Sequence, residues 1–394
     1  MGVEAPAYRR SGRPPPWRDV RMLRLLFQIV VVGGVVVIGL WLFGNLATNL
    51  DRQGIRTDFD YLDRSAGFAI AGSDFKSSDP VWRALVVGVK NTAIVSGAGI
   101  LLASILGVVI GVSRLSPNWL IARAASLYVE AVRNIPVLVI IIFMYIAVIL
   151  KLPSIGNASE LFGILVISNS GLVVASVEAA GGGAPLFAAS LAVAAVVAVV
   201  VLIRRTRRFD RTGQPHHRVL WGAGTFLIIA VVAFVATGTP VAMSLPQRQE
   251  FGVTGGIRMS PEFAALLAGL FIYTASHIAE IVRGSILAVS RGQSEAARAL
   301  GLTEFQRYRF VVLPQALRIM IPPLANQYLN LTKNSSLAVF IAYPEITRIT
   351  RIAIGQGNPA PQGILILMGI YLFFSLTISA ITNLVNRRLT YVTS

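Results

Sequence analysis

The chain is 394 residues long, 55% hydrophobic and only 13% charged, with a mean hydropathy of +0.69; soluble domains carry about 25% charged residues, so this is the composition of an integral membrane protein. Its net charge of +17 would point to nucleic acid in a soluble chain, but the basic residues collect at the ends of apolar runs, a membrane-topology signature that leaves no nucleic-acid partner to expect. The absence of cysteine excludes disulfides, thiolate catalysis and cysteine metal sites.

Residues Met1 to Arg24 are basic and proline-rich (Pro14-Pro15-Pro16), as in a disordered or surface-bound segment. The run from Leu25 to Leu46 is long enough to cross a bilayer and longer than a signal-peptide core of about 7–15 residues, which predicts an uncleaved first span. Asp51 to Val81 mixes acids, arginines and aromatics and reads as a structured extramembrane segment. The second span, Ala84 to Val112, carries Gly107-Val108-Val109-Ile110-Gly111, a small-residue ridge that lets another helix approach closely. A basic connector, Arg114 to Asn134, leads to a third span at Ile135 to Leu150.

The run from Leu161 to Val177 is apolar but broken by Ser168-Asn169-Ser170-Gly171. If it crossed, every later segment would invert and Arg204-Arg205-Thr206-Arg207-Arg208 would face outward, so it is read as non-spanning or re-entrant. Leu186 to Ile203 and Leu220 to Ala236 form a fourth and fifth span around the basic loop Arg204 to Arg218, a positive-inside anchor touching anionic membrane lipid. His216-His217 in that loop lacks further ligands and reads as solvated rather than metal-binding. Phe263 to Val282, Ile319 to Ala342 and Gly363 to Val385 complete eight spans. The predicted fold is therefore an all-α membrane protein of about eight transmembrane helices. Both termini then share one side with the basic loop, and that side carries roughly twice the Lys and Arg of the other, which marks it as cytoplasmic.

Between the sixth and seventh spans the chain turns charged and helix-forming. Ser294 and Glu295 suit a helix start, Ala296 to Leu300 has high helix propensity, and Gly301 is placed to cap the helix in a left-handed conformation. Thr303 with Gln306 reads as a capping box opening a second helix, which Pro314 bends or ends. The product is an elbow studded with Arg298, Arg307 and Arg309.

Glu295-Ala296-Ala297, then Gly301, then Val311-x-Leu313-Pro314 resembles the EAA loop in permease subunits of binding-protein-dependent ABC importers, with Val311 where that family usually has Ile. The resemblance implies a type I permease core of five spans (the second, third, sixth, seventh and eighth) within residues 84–388. An insertion at about 151–260 would carry two extra transmembrane helices, and residues 1–83 the N-terminus, the first helix and a periplasmic segment. It also implies that the loop is cytoplasmic and sits in a groove of an ATPase subunit. Glu295, Ala296, Ala297, Arg298, Gly301, Arg307, Leu313 and Pro314 are then the expected coupling residues.

Tyr128-Val129-Glu130-Ala131-Val132-Arg133-Asn134-Ile135-Pro136 is similar to the polar amino-acid uptake branch of that family. Gly54-Ile55-Arg56-Thr57-x-Phe59-Asp60-Tyr61-Leu62, after an extra first span, is similar to the larger permease subunit of general L-amino acid importers of Gram-negative bacteria. These likenesses imply an inner-membrane chain with four kinds of partner: two ATPase copies, a related second permease, a periplasmic amino-acid-binding protein and membrane lipid. ATP and Mg would be bound by the ATPase, and no cofactor by this chain.

Polar residues inside spans usually face a bundle interior or a water-filled path. In the sixth span Tyr273, Ser276, His277 and Glu280 recur at helical spacing; in the seventh, Asn326, Asn330, Lys333 and Asn334 follow Pro322-Pro323. They are the expected lining of a translocation path, with interhelical glue as the competing role. Lys333 would meet a substrate carboxylate or neutralise a buried acid such as Glu280. No phosphate-binding Gly-x-x-x-x-Gly-Lys-Ser/Thr loop and no catalytic cluster stands out, so the chain reads as a transport subunit rather than an enzyme. A gradient-driven secondary transporter is the alternative, although matching inverted halves are not evident.

Overall fold

The computed structural model describes residues 20–390 apart from positions 53, 55–57, 213–216, 239 and 250–251. The proline-rich segment up to residue 19, Ile55 to Thr57 and His216 therefore lie outside the described residues. The described chain is dominated by helices: α1 (Val20–Arg52), α2 (Val81–Ser113), α3 (Trp119–Arg133), α4 (Val137–Phe143), α5 (Ala184–Thr212), α6 (Arg218–Ala236), α7 (Pro261–Leu287), α8 (Arg291–Ala299), α9 (Glu304–Arg307), α10 (Leu313–Asn334), α11 (Ile346–Gly355) and α12 (Ala360–Thr390).

Six helices (α1, α2, α5, α6, α7 and α12) are long and apolar enough to cross a membrane, and α3 with α4 makes a seventh if the pair, bent by 102°, is one broken span. The eighth expected crossing corresponds to α10, whose Arg318, Lys333 and Pro322-Pro323 lower its apolar character. The connector Arg114 to Asn134 is itself helical: Asn118 caps α3, its side chain accepting from the Leu120 and Ile121 amides. Pro136 then breaks the chain direction, because it cannot donate to the ladder and disfavours a helical residue before it.

The run at 161–177 is neither spanning nor re-entrant. It forms β1 (Ser159–Leu161), β2 (Leu165–Ser168), β3 (Gly171–Val174) and β4 (Ser176–Ala179), with Asn169-Ser170 as the hairpin turn between β2 and β3. Further strands come from the segment before α7: β5 (Val241–Ser244), β6 (Gln247–Gln249), β7 (Gly252–Thr254) and β8 (Ile257–Met259). An antiparallel sheet in the order β1-β2-β3-β8 is joined by the pairs β4-β5 and β6-β7. A small β-structured part thus qualifies the all-α expectation. It lies where α7 begins, and its Leu172 and Met259 pack on the main core.

That core is organised by α2 and α7, which run parallel. A Cβ on Gly107 would lie 2.6 Å from the Ile278 side chain, and one on Gly111 would lie 2.7 Å from the Ala279 carbonyl and Val282. The glycine ridge is therefore the contact itself. Val95, Ala103, Ile141, Leu266, Leu270, Ile278 and Leu331 fill the interior around it. α10 runs antiparallel to α2, with Leu331 against Gly99 and the Tyr328 hydroxyl 2.9 Å from the Ser104 hydroxyl.

At the end where α2 and α7 begin, α11 is wedged against α2. Asn91 Nδ2 donates to the Pro344 carbonyl at 2.8 Å, and the Ile346 amide donates to the Thr92 hydroxyl at 3.2 Å. Tyr61, Ile70 and Phe75 from the segment before α2 close this second cluster. α5 and α6 pack on each other, with Gly222 against Leu202, while α1 is exposed along its length.

Candidate functional site

The elbow occupies the end where α7 finishes. α8 begins at Arg291, one turn before the expected Ser294–Glu295 start, with Ser290 as its flanking residue. Its last turn closes by two bonds, from the Leu302 amide to the Ala297 carbonyl at 3.1 Å and from the Gly301 amide to the Arg298 carbonyl at 2.9 Å. This paired closure needs a left-handed residue, and Gly301 supplies φ +73°. No heavy atom lies within 4 Å of a Cβ built there, so backbone conformation alone demands the glycine. Gly301→Val is expected to cost about 1–2 kcal/mol of local stability and Gly301→Asn far less, which proteolysis rates within 299–305 will check.

Thr303 and Gln306 form the capping box: the Gln306 amide donates to the Thr303 hydroxyl at 3.3 Å and the Thr303 amide to Gln306 Oε1 at 2.9 Å. α9 then passes through a π-turn, Tyr308–Val312, straight into α10. Pro314 therefore does not end the helix. It sits in the first turn of α10, where the widened π-turn upstream removes the need for its missing N–H.

Arg307, one of the expected coupling residues, is buried. Its guanidinium donates to the Ser294 hydroxyl at 2.9 Å and pairs with Glu304, while the cation lies 4.5 Å from the Tyr308 ring centre. Glu304 also receives Arg298 Nε at 3.1 Å, and its pairing with Arg307 and then Arg298 holds the carboxyl below its usual range. Arg307 is thus an internal tie between α8 and α9. Ala297 is buried, whereas Glu295, Ala296, Arg298, Gly301, Leu313 and Pro314 are exposed. Two apolar side chains that composition did not single out stand beside them: Leu300 is 81% and Phe305 70% exposed.

The polar stripes diverge. On α7, Ser276 is fully buried and its hydroxyl bonds back to the Tyr273 carbonyl at 2.6 Å. The Tyr273 and His277 rings lie 4.6 Å apart between centres, tilted by 47°. Glu280 is surrounded by Arg114 from the end of α2, Arg283 one turn on and Arg133 at 3.8 Å from α3. Lys333 is not its partner. Arg114, Glu130, Arg133, Asn134, His277 and Glu280 line a cavity of about 340 Å³. On α10, Asn326, Asn330 and Lys333 are exposed and Asn334 half-buried, so this stripe looks out of the chain's own bundle. Among the described residues no hydrogen bond or ion pair joins the two stripes.

Residues 190–391 match a family described as the inner membrane component of binding-protein-dependent transport systems. The likeness continues over almost the whole chain: 42% identity across 372 residues to the putative amino-acid ABC transporter permease protein YhdX of Escherichia coli, covering 93% of this chain and 94% of that one. The chain belongs to this family of transport permeases. Two further relatives of the permease are the general L-amino acid transport system permease protein AapQ of Rhizobium johnstonii (38% identity, 98% and 96% of the two chains) and the glutamate/glutamine/aspartate/asparagine transport system permease protein BztB of Rhodobacter capsulatus (35% identity, 94% of each). Membership sets aside the gradient-driven alternative and makes the chain an ABC importer's transport component in the inner membrane.

The permease also carries an acid that sequence reasoning passed over. Glu345 is fully buried at the start of α11, accepting from the Arg348 amide at 2.9 Å and from the Tyr371 hydroxyl of α12 at 3.1 Å. Burial pushes its carboxyl above the ordinary 4.5. The folded permease then holds that proton more tightly than the unfolded chain. This contribution to stability is complete below the unfolded value and is lost as pH rises through the raised folded one. Melting temperatures from pH 4 upward should therefore fall more steeply for the parent than for Glu345→Gln.

Nor was the arginine shell of Glu280 foreseen. The i,i+3 spacing of Glu280 and Arg283 was the available signal, but Arg114 and Arg133 come from other helices.

Proposed function

We infer that this permease is the membrane subunit of an ATP-driven importer of polar or general L-amino acids. It pairs with a second, related permease, two copies of an ATPase and a periplasmic amino-acid-binding protein. ATP and Mg are bound by the ATPase, not by this chain. Both termini, the basic end of α5 and the elbow lie in the cytoplasm.

The single observation that carries the reading is the elbow. A charged two-helix bend exposes Leu300 and Phe305 beside Glu295 and runs on through the π-turn into α10 without leaving helical geometry. An effector shifts a conformational equilibrium only through differential affinity for the two states. An ATPase that grips the elbow differently when ATP is bound can therefore drive α10 directly. The exposed Asn326, Asn330 and Lys333 then face the path formed with the second permease, where amides and a cation can meet an amino-acid zwitterion. Resemblance to amino-acid permeases over nearly the full chain supports the substrate class.

Proteoliposomes holding both permeases, the ATPase and the binding protein should take up radiolabelled L-amino acids only when ATP is inside. Uptake driven by a proton or sodium gradient without the ATPase would overturn the reading. In the same assay Lys333→Met should lower uptake about tenfold while assembly is retained; unchanged uptake would remove Lys333 from the path.

A further inference from the structure

The basic segment 204–218, expected as a loop, is helical from Arg204 to Thr212, and that changes what its arginines can do. α5 runs without interruption to Thr212. Its apolar part, Ala184 to Ile203, is long enough at about 30 Å to cross the hydrocarbon core, so the following nine residues carry the helix about 13 Å further, through the headgroup layer. Arg204, Arg207, Arg208 and Arg211 fall at positions i, i+3, i+4 and i+7, which places all four on one face of that extension, and all four are exposed.

Arg205 lies on a different face. Its guanidinium sits 4.3 Å from the ring centre of Trp221 on α6, while Arg218 of α6 lies 5.0 Å from the Phe209 ring. Two arginines therefore fasten α5 to α6, and the other four form a separate stripe. Among the described side chains, which do not include Asp210 of the same segment, no carboxylate lies within ion-pair distance of the four. Like charges three and four residues apart repel along a helix. The helix dipole favours a cation only in the last turn, which accounts for Arg211 but not for Arg204. Four exposed guanidinium groups on one face, against a single acid in the same segment, leave a net positive stripe at headgroup depth that calls for anions from outside the chain, and planar guanidinium groups match phosphate oxygens two at a time.

We propose that Arg204, Arg207, Arg208 and Arg211 form a binding site for the phosphodiester headgroup of anionic phospholipid, retained on the α5–α6 hairpin. The lipid bridges the four cations while its acyl chains lie along the apolar surface of α5 (Val193, Val196 and Val200 among the exposed side chains). A dissolved phosphate offers the same oxygens without the chains, so the two sources are separable.

Native mass spectrometry of the full chain in detergent, titrated with phosphatidylglycerol or phosphatidylcholine, tests this. The parent should bind phosphatidylglycerol at least tenfold more tightly than phosphatidylcholine. Replacing all four arginines by Gln should abolish the preference, and replacing them by Lys should keep most of it. Because the parent comparison needs no variant, equal binding of the two lipids would by itself overturn the proposal. So would an undiminished preference in the Gln variant, or displacement of phosphatidylglycerol by equimolar inorganic phosphate, which would mark a site for a soluble anion.

Discussion

Arg307→Ala should uncouple the importer. The side chain is a buried cation held by the Ser294 hydroxyl, the Glu304 carboxylate and the face of Tyr308, so its removal frees α8 from α9. Losing a charge-assisted, partly buried tie costs about 1–3 kcal/mol, enough to populate elbows with the wrong bend. Uptake in proteoliposomes is expected to fall at least tenfold, while the ATPase still co-purifies and still hydrolyses ATP. Arg307→Lys, which keeps the charge but loses the fork, should recover only part of the uptake. Loss of ATPase co-purification in Arg307→Ala would show instead that the side chain touches the ATPase directly.

Gly107→Leu should do more damage, and earlier, at the level of the bundle. A Cβ at that position lies 2.6 Å from Ile278 and 3.0 Å from the Ala275 carbonyl, so α2 and α7 must separate to admit it. Overpacking of this kind costs about 1–3 kcal/mol, and more when backbone must move. We expect the yield of monodisperse protein on size-exclusion chromatography to drop several-fold and the melting temperature to fall. Gly97→Leu is the matched control. Gly97 lies on the same helix but is exposed, with open space around its Cβ position, and its replacement should leave both readouts near the parent.

How far a feature was legible depended on how far its cause lay along the chain. Gly301's left-handed turn and the Thr303–Gln306 box are decided by residues within a few positions, and both could be read from composition and spacing. The glycine ridge of α2 was legible as a surface that something must approach, though nothing in it named α7. The β-structured part was not legible. Its strands are three or four residues long, too short for a period-two pattern to separate from a broken helix, and β3 pairs with β8 across more than 80 intervening positions. The inward aim of Arg307 depends on Ser294, thirteen residues away on another helix, a contact that spacing alone does not reveal. The same holds for Glu280, whose arginines Arg114 and Arg133 converge only once α2 and α3 are folded against α7.

The π-turn before α10 has a mechanical corollary. Because helical geometry continues through the π-turn from Glu304 to Asn334, the segment is a rod about 45 Å long, with the elbow at one end and Lys333 near the other. Tilting such a rod by about 10° sweeps the Lys333 end through roughly 8 Å, comparable to the width of an amino acid, for little movement at the elbow. Pro322-Pro323, like the π-turn upstream, is a joint where the sweep can be absorbed by bending. The gain of the device is therefore set by how stiff those joints are.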